Sequence, residues 1–245
     1  MEFGSERRFL RVLGALFAFV WAALAIAPVD RHVWMLENFL TLIGAAMMFA
    51  SYFRFPLSRF SYASIFIFGV LHSWGAHHTY SLVPYDAWSR ALLGISIDEL
   101  FGFERNQYDR LIHLLWGLLL AYPSRELFVR MARVRGFWGY AFPQLLVMAS
   151  SVVYEMIEWF AAVVFGGELG MQYLGTQGDE WDGHKDMALA SLGSLVAMTI
   201  VAVVNALTQP GFRAEWRASL SARDTAPLGD RVLLERMRAR RSASR

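Results

Sequence analysis

Between Trp138 and Phe165 the chain carries only two charged side chains, Glu155 and Glu158. Backbone in an apolar medium must satisfy its own hydrogen bonds, and a single segment of this length can do so only as a helix. Windows of about 20 apolar residues, enough to cross a hydrocarbon core of about 30 Å, recur along the chain. They define six expected spans: Phe9–Ala27, Trp34–Phe53, Phe60–Ala76, Asp109–Tyr122 with an extension to about Ala132, Trp138–Phe165 and Asp186–Leu207. In the fourth, Pro123, Arg125 and Glu126 interrupt the apolar run. It is expected to continue as an interfacial helix carrying Arg130, Arg133 and Arg135. Tyr85 to Phe103 reads as a partly helical surface loop, with Trp88 and Phe101 suited to the interface. The expected fold is an all-α polytopic integral membrane protein of about six transmembrane helices. Residues 6–208 form the membrane domain and residues 209–245 an arginine-rich, partly disordered cytoplasmic tail, in which Leu228 to Met237 suits an amphipathic surface helix. No internal repeat and no second globular domain is visible.

Composition agrees: 56% of residues are hydrophobic and 18% charged, with a mean hydropathy of +0.35. Without cysteine there are no disulfides, thiolate metal sites or cysteine nucleophiles. Lys185 is the sole lysine, and the arginines fall in clusters. Nucleic acid could attract such clusters, but beside membrane spans the positive-inside rule explains them, so no nucleic-acid partner is expected. Arg7, Arg8 and Arg11, then Arg54 and Arg59, then Arg125, Arg130, Arg133 and Arg135, and finally the tail share one side. That side is expected to be cytoplasmic, with both termini on it, in a multi-pass protein of a bacterial inner membrane. Met1 to Ser5 has the character of a cloning remnant and is set aside. The segment from Arg7 to Ala27 has the form of a secretory signal, but Pro28 would hinder cleavage, so it is expected to remain as the first span.

With that topology, four ionisable clusters converge on the periplasmic face. They are His72 with His77 and His78; Asp109 with His113; Glu155 with Glu158; and Asp182, His184, Lys185 and Asp186. Ionisable groups are costly in lipid and mark function by default. Simpler roles exist. Asp109 and His113, four residues apart, could hydrogen-bond each other. Asp182 and Asp186 could cap the sixth span and oppose its dipole. Glu155 and Glu158 are harder to explain structurally, because two like charges three residues apart in an apolar helix repel each other and lose hydration. His32 sits alone in a short loop.

Carboxylates and imidazoles without thiolates suit a divalent ion such as zinc, manganese or magnesium. The candidate ligands are His72, His77, His113, Glu158, Asp182 and Asp186. No His-Glu-x-x-His motif is present. Glu155, Glu158, His113 and Asp109 are the candidate catalytic groups, with a glutamate as the base that activates water. Lys185, Arg110, Asn106 and Tyr154 are the candidate substrate-binding residues, the two cations for an anionic head group. The expected activity is hydrolysis or group transfer on a lipid or lipid-linked envelope substrate. The same residues could instead move protons or a cation without any chemistry, or serve a binding or regulatory partner of envelope enzymes.

Leu71 to Tyr80, Arg105 to His113, Tyr154-Glu155-Met156-Ile157-Glu158-Trp159 and Gln177 to Met187 together resemble, in order, motifs of the YjdF-type bacterial inner-membrane family. The resemblance covers about Phe9 to Leu207 and implies a fold and a location but no reaction. A fainter one is to VanZ-like membrane proteins, which show an Asp-basic-x-x-His start, matched by Asp109, Arg110 and His113. Their later Asp-x-x-x-Asn-x-x-Gly pattern is met by Asp186 and Gly193, with Ala190 in place of asparagine.

Overall fold

The computed structural model describes residues 2–221 and 230–243. Among them every regular element is a helix. In chain order these are α1 (Glu2–Leu24), α2 (Arg31–Tyr52), α3 (Arg59–His77), α4 (Tyr85–Leu93), α5 (Ile97–Phe101), α6 (Tyr108–Met131), α7 (Trp138–Phe165), α8 (Gly167–Leu174), α9 (Asp182–Thr208), α10 (Phe212–Ser219) and α11 (Asp230–Ala243). By length and composition, α2, α7 and α9 can cross a membrane. The outward side chains agree: Phe19, Phe39, Phe49, Trp159, Phe160, Val163 and Ile200 all face out and are more than half exposed. In water such a surface would drive association, whereas in lipid it is the ordinary state.

Local signals set the helix starts. The Asp30 carboxylate accepts from the His32 and Val33 N–H groups at the head of α2, and Ser58 Oγ accepts from Ser61 N–H at the head of α3. The expected surface loop resolves into α4 and α5. The expected extension past Tyr122 is present: α6 runs unbroken through Pro123 to Met131, with Arg133 and Arg135 beyond its end. Its charges are absorbed locally. Glu126 accepts from Ser58 N–H at 2.9 Å, Ser61 Oγ at 2.7 Å and Arg130 at 2.6 Å, while the Arg125 guanidinium lies 4.7 Å from the Tyr140 ring centre. Two short helices were not legible in the sequence. α8 folds back onto α7 and also meets α2, burying Tyr173 with Val33 and Ala161. α10 docks on the α6–α7 turn. Of the expected tail helix, Leu228 and Gly229 lie outside the described residues, as do Ser244 and Arg245 of the expected disordered end; α11 holds the rest.

The centre of the bundle is the pair α6 and α9, with α3 and α7 against them. The pair approaches so closely that a Cβ on Gly193 would collide with the Leu114 carbonyl and lie 2.8 Å from Leu118 N. Reciprocally, a Cβ on Gly117 would collide with the Ala190 carbonyl and lie 2.6 Å from Ser194 N. Ala121, Ala190, Ser194 and Ala197 continue the seam of small buried residues. Between membrane helices, where no hydrophobic force is available, such backbone proximity provides the packing energy. Ala190, the position at which the VanZ-like pattern has asparagine, is fully buried in this seam.

Candidate functional site

The end of the bundle opposite α10 carries the ionisable clusters, in two layers. The outer layer ties the 175–181 loop to the approach of α6. Arg105 Nη1 forms an ion pair with Asp182 Oδ1 at 2.6 Å and donates to the Thr176 carbonyl at 2.7 Å. Arg110 Nη2 donates to Asp179 and lies 3.5 Å from Asp182, and Lys185 Nζ reaches Asp179 at 2.5 Å. Asn106 N–H donates to Gln177 Oε1, and Gln177 Nε2 donates back to the Asn106 carbonyl. The loop reaches this position through left-handed backbone at Gly175, Gln177 and Gly178, the last with φ +87°.

Asp179, outside the spans, accepts from Lys185, from the Trp181 N–H and from Arg110, and these hold its carboxyl down at about 2. A carboxyl depressed in the folded state stabilises above its unfolded value and loses that contribution as pH falls through the folded one. Asp179→Asn is therefore expected to lower the melting temperature in detergent by a constant amount above about pH 4. The gap to wild type should close toward pH 2. A gap that stays the same across that window would mean that the Asp179 ion pairs do not hold the loop.

The inner layer is buried. Asp109 and His113, on α6, and Asp186, on α9, each present a ligand atom, and these atoms lie within 4.8 Å of one another. His113 Nε2 is 3.7 Å from Asp109 Oδ1 and 3.6 Å from Glu155 Oε1 of α7. Those separations are too long for hydrogen bonds. The His113–Asp109 separation is close to the edge of a tetrahedron of ligands about 2.1 Å from a shared ion, roughly 3.4 Å. Asp186 Oδ1 and Glu155 Oε1 are buried without a hydrogen-bond partner. Asp186 is 2% and His113 7% exposed, so this excess of carboxylates around one imidazole calls for bound protons or a compensating positive charge.

Deeper still runs a chain from α3 to α7. His72 Nε2–H donates to the Glu37 carbonyl at 3.3 Å, a group that can only accept, so Nδ1 carries the lone pair and accepts a hydrogen bond from the Tyr80 hydroxyl. Tyr154 donates to Glu37 Oε2 at 3.1 Å, and its ring meets that of His113 edge-on. Glu158 is buried alongside, one turn from Tyr154.

Asp109, His113, Glu155 and Asp186 come together. Asp182 does not join them, being held by Arg105 in the outer layer. Both ring nitrogens of His72 are committed to bonds, while His77 Nδ1 donates to the Leu24 carbonyl at 2.7 Å, tying α3 to the end of α1. Among the expected substrate-binding residues, Asn106 spends its whole amide on the Val83 carbonyl and the Tyr108 N–H. Tyr154 faces Glu37, Arg110 faces the loop acids, and Lys185 is half exposed at the rim. His184 and His32 are exposed. Sequence reasoning passed over Glu37, although a lone acid inside the second span was itself a signal. It also underrated Arg105, whose Nε and Nη2 are buried without a partner.

Long apolar helices, a lipid-facing exterior and a buried acid–histidine centre at one end define a multi-pass integral membrane protein. The chain belongs to the family described as predicted membrane protein (DUF2238), whose pattern matches residues 9–206. It is similar to the inner membrane protein YjdF of Escherichia coli strain K12, at 36% identity over 178 residues, covering 72% of this chain and 81% of that one. No solved structure matches it. It is accordingly a protein of the inner membrane.

Proposed function

We propose that the protein is a membrane hydrolase or transferase that holds a divalent metal ion at its periplasmic face and acts on a lipid or lipid-linked envelope substrate. The observation that carries this reading is the convergence of Asp109, His113 and Asp186, with Glu155 as a fourth carboxylate at 3.6 Å from the imidazole. Asp109, His113 and Asp186 are the ligands. A divalent ion held there would supply an acidified water, and Glu155 would take that water's proton and return it to the leaving group. The partnerless N–H groups of Arg105 and Arg110 suit an anionic head group. Elemental analysis of protein purified without chelator should find about one zinc, manganese or magnesium per chain. Its absence, with melting curves that a chelator leaves unchanged, would overturn the metal.

A second reading, a proton- or cation-coupled transporter or binding protein, is favoured by one observation. The Glu37, Tyr154, Glu158, His72 and Tyr80 chain continues inward from the metal-ligand set. Both readings share one orientation, which arginine distribution supports. A reporter after Leu207 should be cytoplasmic and one near Ser89 periplasmic; the reverse pattern would put the site on the other side.

A further inference from the structure

We infer that the arginine end of the bundle carries a second site, for an anionic phospholipid, formed where α10 folds over the α6–α7 turn. A cavity of about 460 Å³ lies there, and Arg125, Arg133 and Arg135 are among its lining residues, with Tyr140, Phe212 and Glu215 completing the wall. Three guanidinium groups face one acid, and that acid is engaged: Glu215 accepts from Gly136 N–H at 3.2 Å. Among the described residues, no carboxylate pairs with any of the three arginines. Arg125 is held in place by its stack on Tyr140 and a 3.4 Å bond to the Tyr140 hydroxyl, yet its Nε is buried without a partner. One held guanidinium and two exposed ones, none paired with a carboxylate, line a concave wall suited to phosphate oxygens, which guanidinium groups meet in a forked geometry.

The neighbouring surface identifies the rest of the ligand. Beyond Tyr140 and Phe212, which line both, a second hollow of about 680 Å³ runs between α7 and α9. Its walls include the apolar Ala141, Leu195, Met198, Ala202 and Val203, with Gln144 and Thr199 among them, and Trp216, Arg213 and Arg217 line it at the arginine end. From Leu195 to Ala206 the helix rises about 16 Å, close to the thickness of one leaflet, about 15 Å. A free phosphate would use the basic cavity and leave this groove unused. A phosphodiester head group with an acyl chain fills both, and basic pockets between helices at the cytoplasmic surface are where anionic lipids are held. α10 fixes the arrangement, because Ser219 accepts from Phe137 N–H at 2.9 Å through its hydroxyl and from Trp138 Nε1 at 2.9 Å through its carbonyl.

The test uses the full chain in detergent, titrated with phosphatidylglycerol, phosphatidylcholine or inorganic phosphate and read by native mass spectrometry for bound species. Phosphatidylglycerol should bind wild type at least about tenfold more tightly than phosphatidylcholine, because the choline cation of the latter would sit among guanidinium groups that no carboxylate neutralises. The doubly substituted R133Q/R135Q protein, altered only at exposed side chains, should lose that preference. Val203→Trp, which fills the groove, should weaken phosphatidylglycerol binding while leaving the arginines intact. Equal binding of the two lipids, or retention of the preference in R133Q/R135Q, would overturn the site. Inorganic phosphate that displaces the lipid completely at equal concentration, with no effect of Val203→Trp, would show a free-anion site instead and overturn the lipid. None of these outcomes depends on a metal at the opposite end.

Discussion

Gly193→Ala is expected to lower the melting temperature in detergent by several degrees, although alanine is the better helix former. The intrinsic gain from glycine to alanine inside a helix is about 1 kcal/mol. Against it stands a collision between the new Cβ and the Leu114 carbonyl, with Leu118 N at 2.8 Å. These are backbone atoms of a helix, which no rotamer change can move, so α6 and α9 must separate. Overpacking of a tight contact costs about 1–3 kcal/mol, and here every close contact along the seam, from Gly117 to Ala197, loosens with it. The net effect should be a loss of up to about 2 kcal/mol, and Gly193→Val should prevent folding. Gly44→Ala is the internal control, since nothing lies within 4 Å of the position its Cβ would take. It should be neutral or stabilising. If the Gly193 and Gly44 variants melt alike, the close approach of α6 and α9 is not what holds the centre together.

Removal of the proposed metal should produce a shift of comparable size. An ion that binds only the folded protein stabilises it by mass action, by about 2.7 kcal/mol at one hundred times its dissociation constant. Chelator should therefore lower the melting temperature, and zinc, manganese or magnesium should restore it. His113→Ala and Asp186→Ala should abolish that response, each by removing one member of the set. His32→Ala, at an exposed position, should leave it whole. Glu155→Gln separates the two roles of the carboxylates. As the base rather than a ligand, Glu155 can be replaced with the metal response retained while turnover is lost. A His113→Ala protein that still answers to added metal would disprove the assignment, and so would a Glu155→Gln protein that does not.

What could be read from the sequence, and what could not, follows from how far each signal reaches along the chain. Helical class, membrane location and the gathering of ionisable groups at one end were legible, because an acid in an apolar run is conspicuous by itself. The choice of which groups meet was not. His72 and His77 have the right element for a ligand, yet their nitrogens are taken by backbone carbonyls 35 and 53 residues away. Asp182 was indistinguishable from Asp186 until Arg105 was seen to hold it. Glu37 gave one isolated sign and was passed over. The continuation of α6 past Pro123 was legible, but what satisfies its acid was not: Glu126 accepts from Ser58 and Ser61 at the start of α3, a partnership that no window around Pro123 contains.

The tight seam between α6 and α9 also bears on motion. Asp109, His113 and Asp186 all ride on those two helices, whereas Glu155 rides on α7. A pair of helices in backbone contact behaves as one solid strut, so the spacing among the first three is insensitive to flexing elsewhere. α7 meets the strut through side chains, among them Gln144, which accepts from Ser194 Oγ at 2.8 Å. A tilt of α7 would therefore move the Glu155 carboxylate relative to the other three groups without altering the spacing among those three. The bundle is thus built as an anvil and a hammer: one part sets where an ion would rest, and the other sets how near the base comes to it.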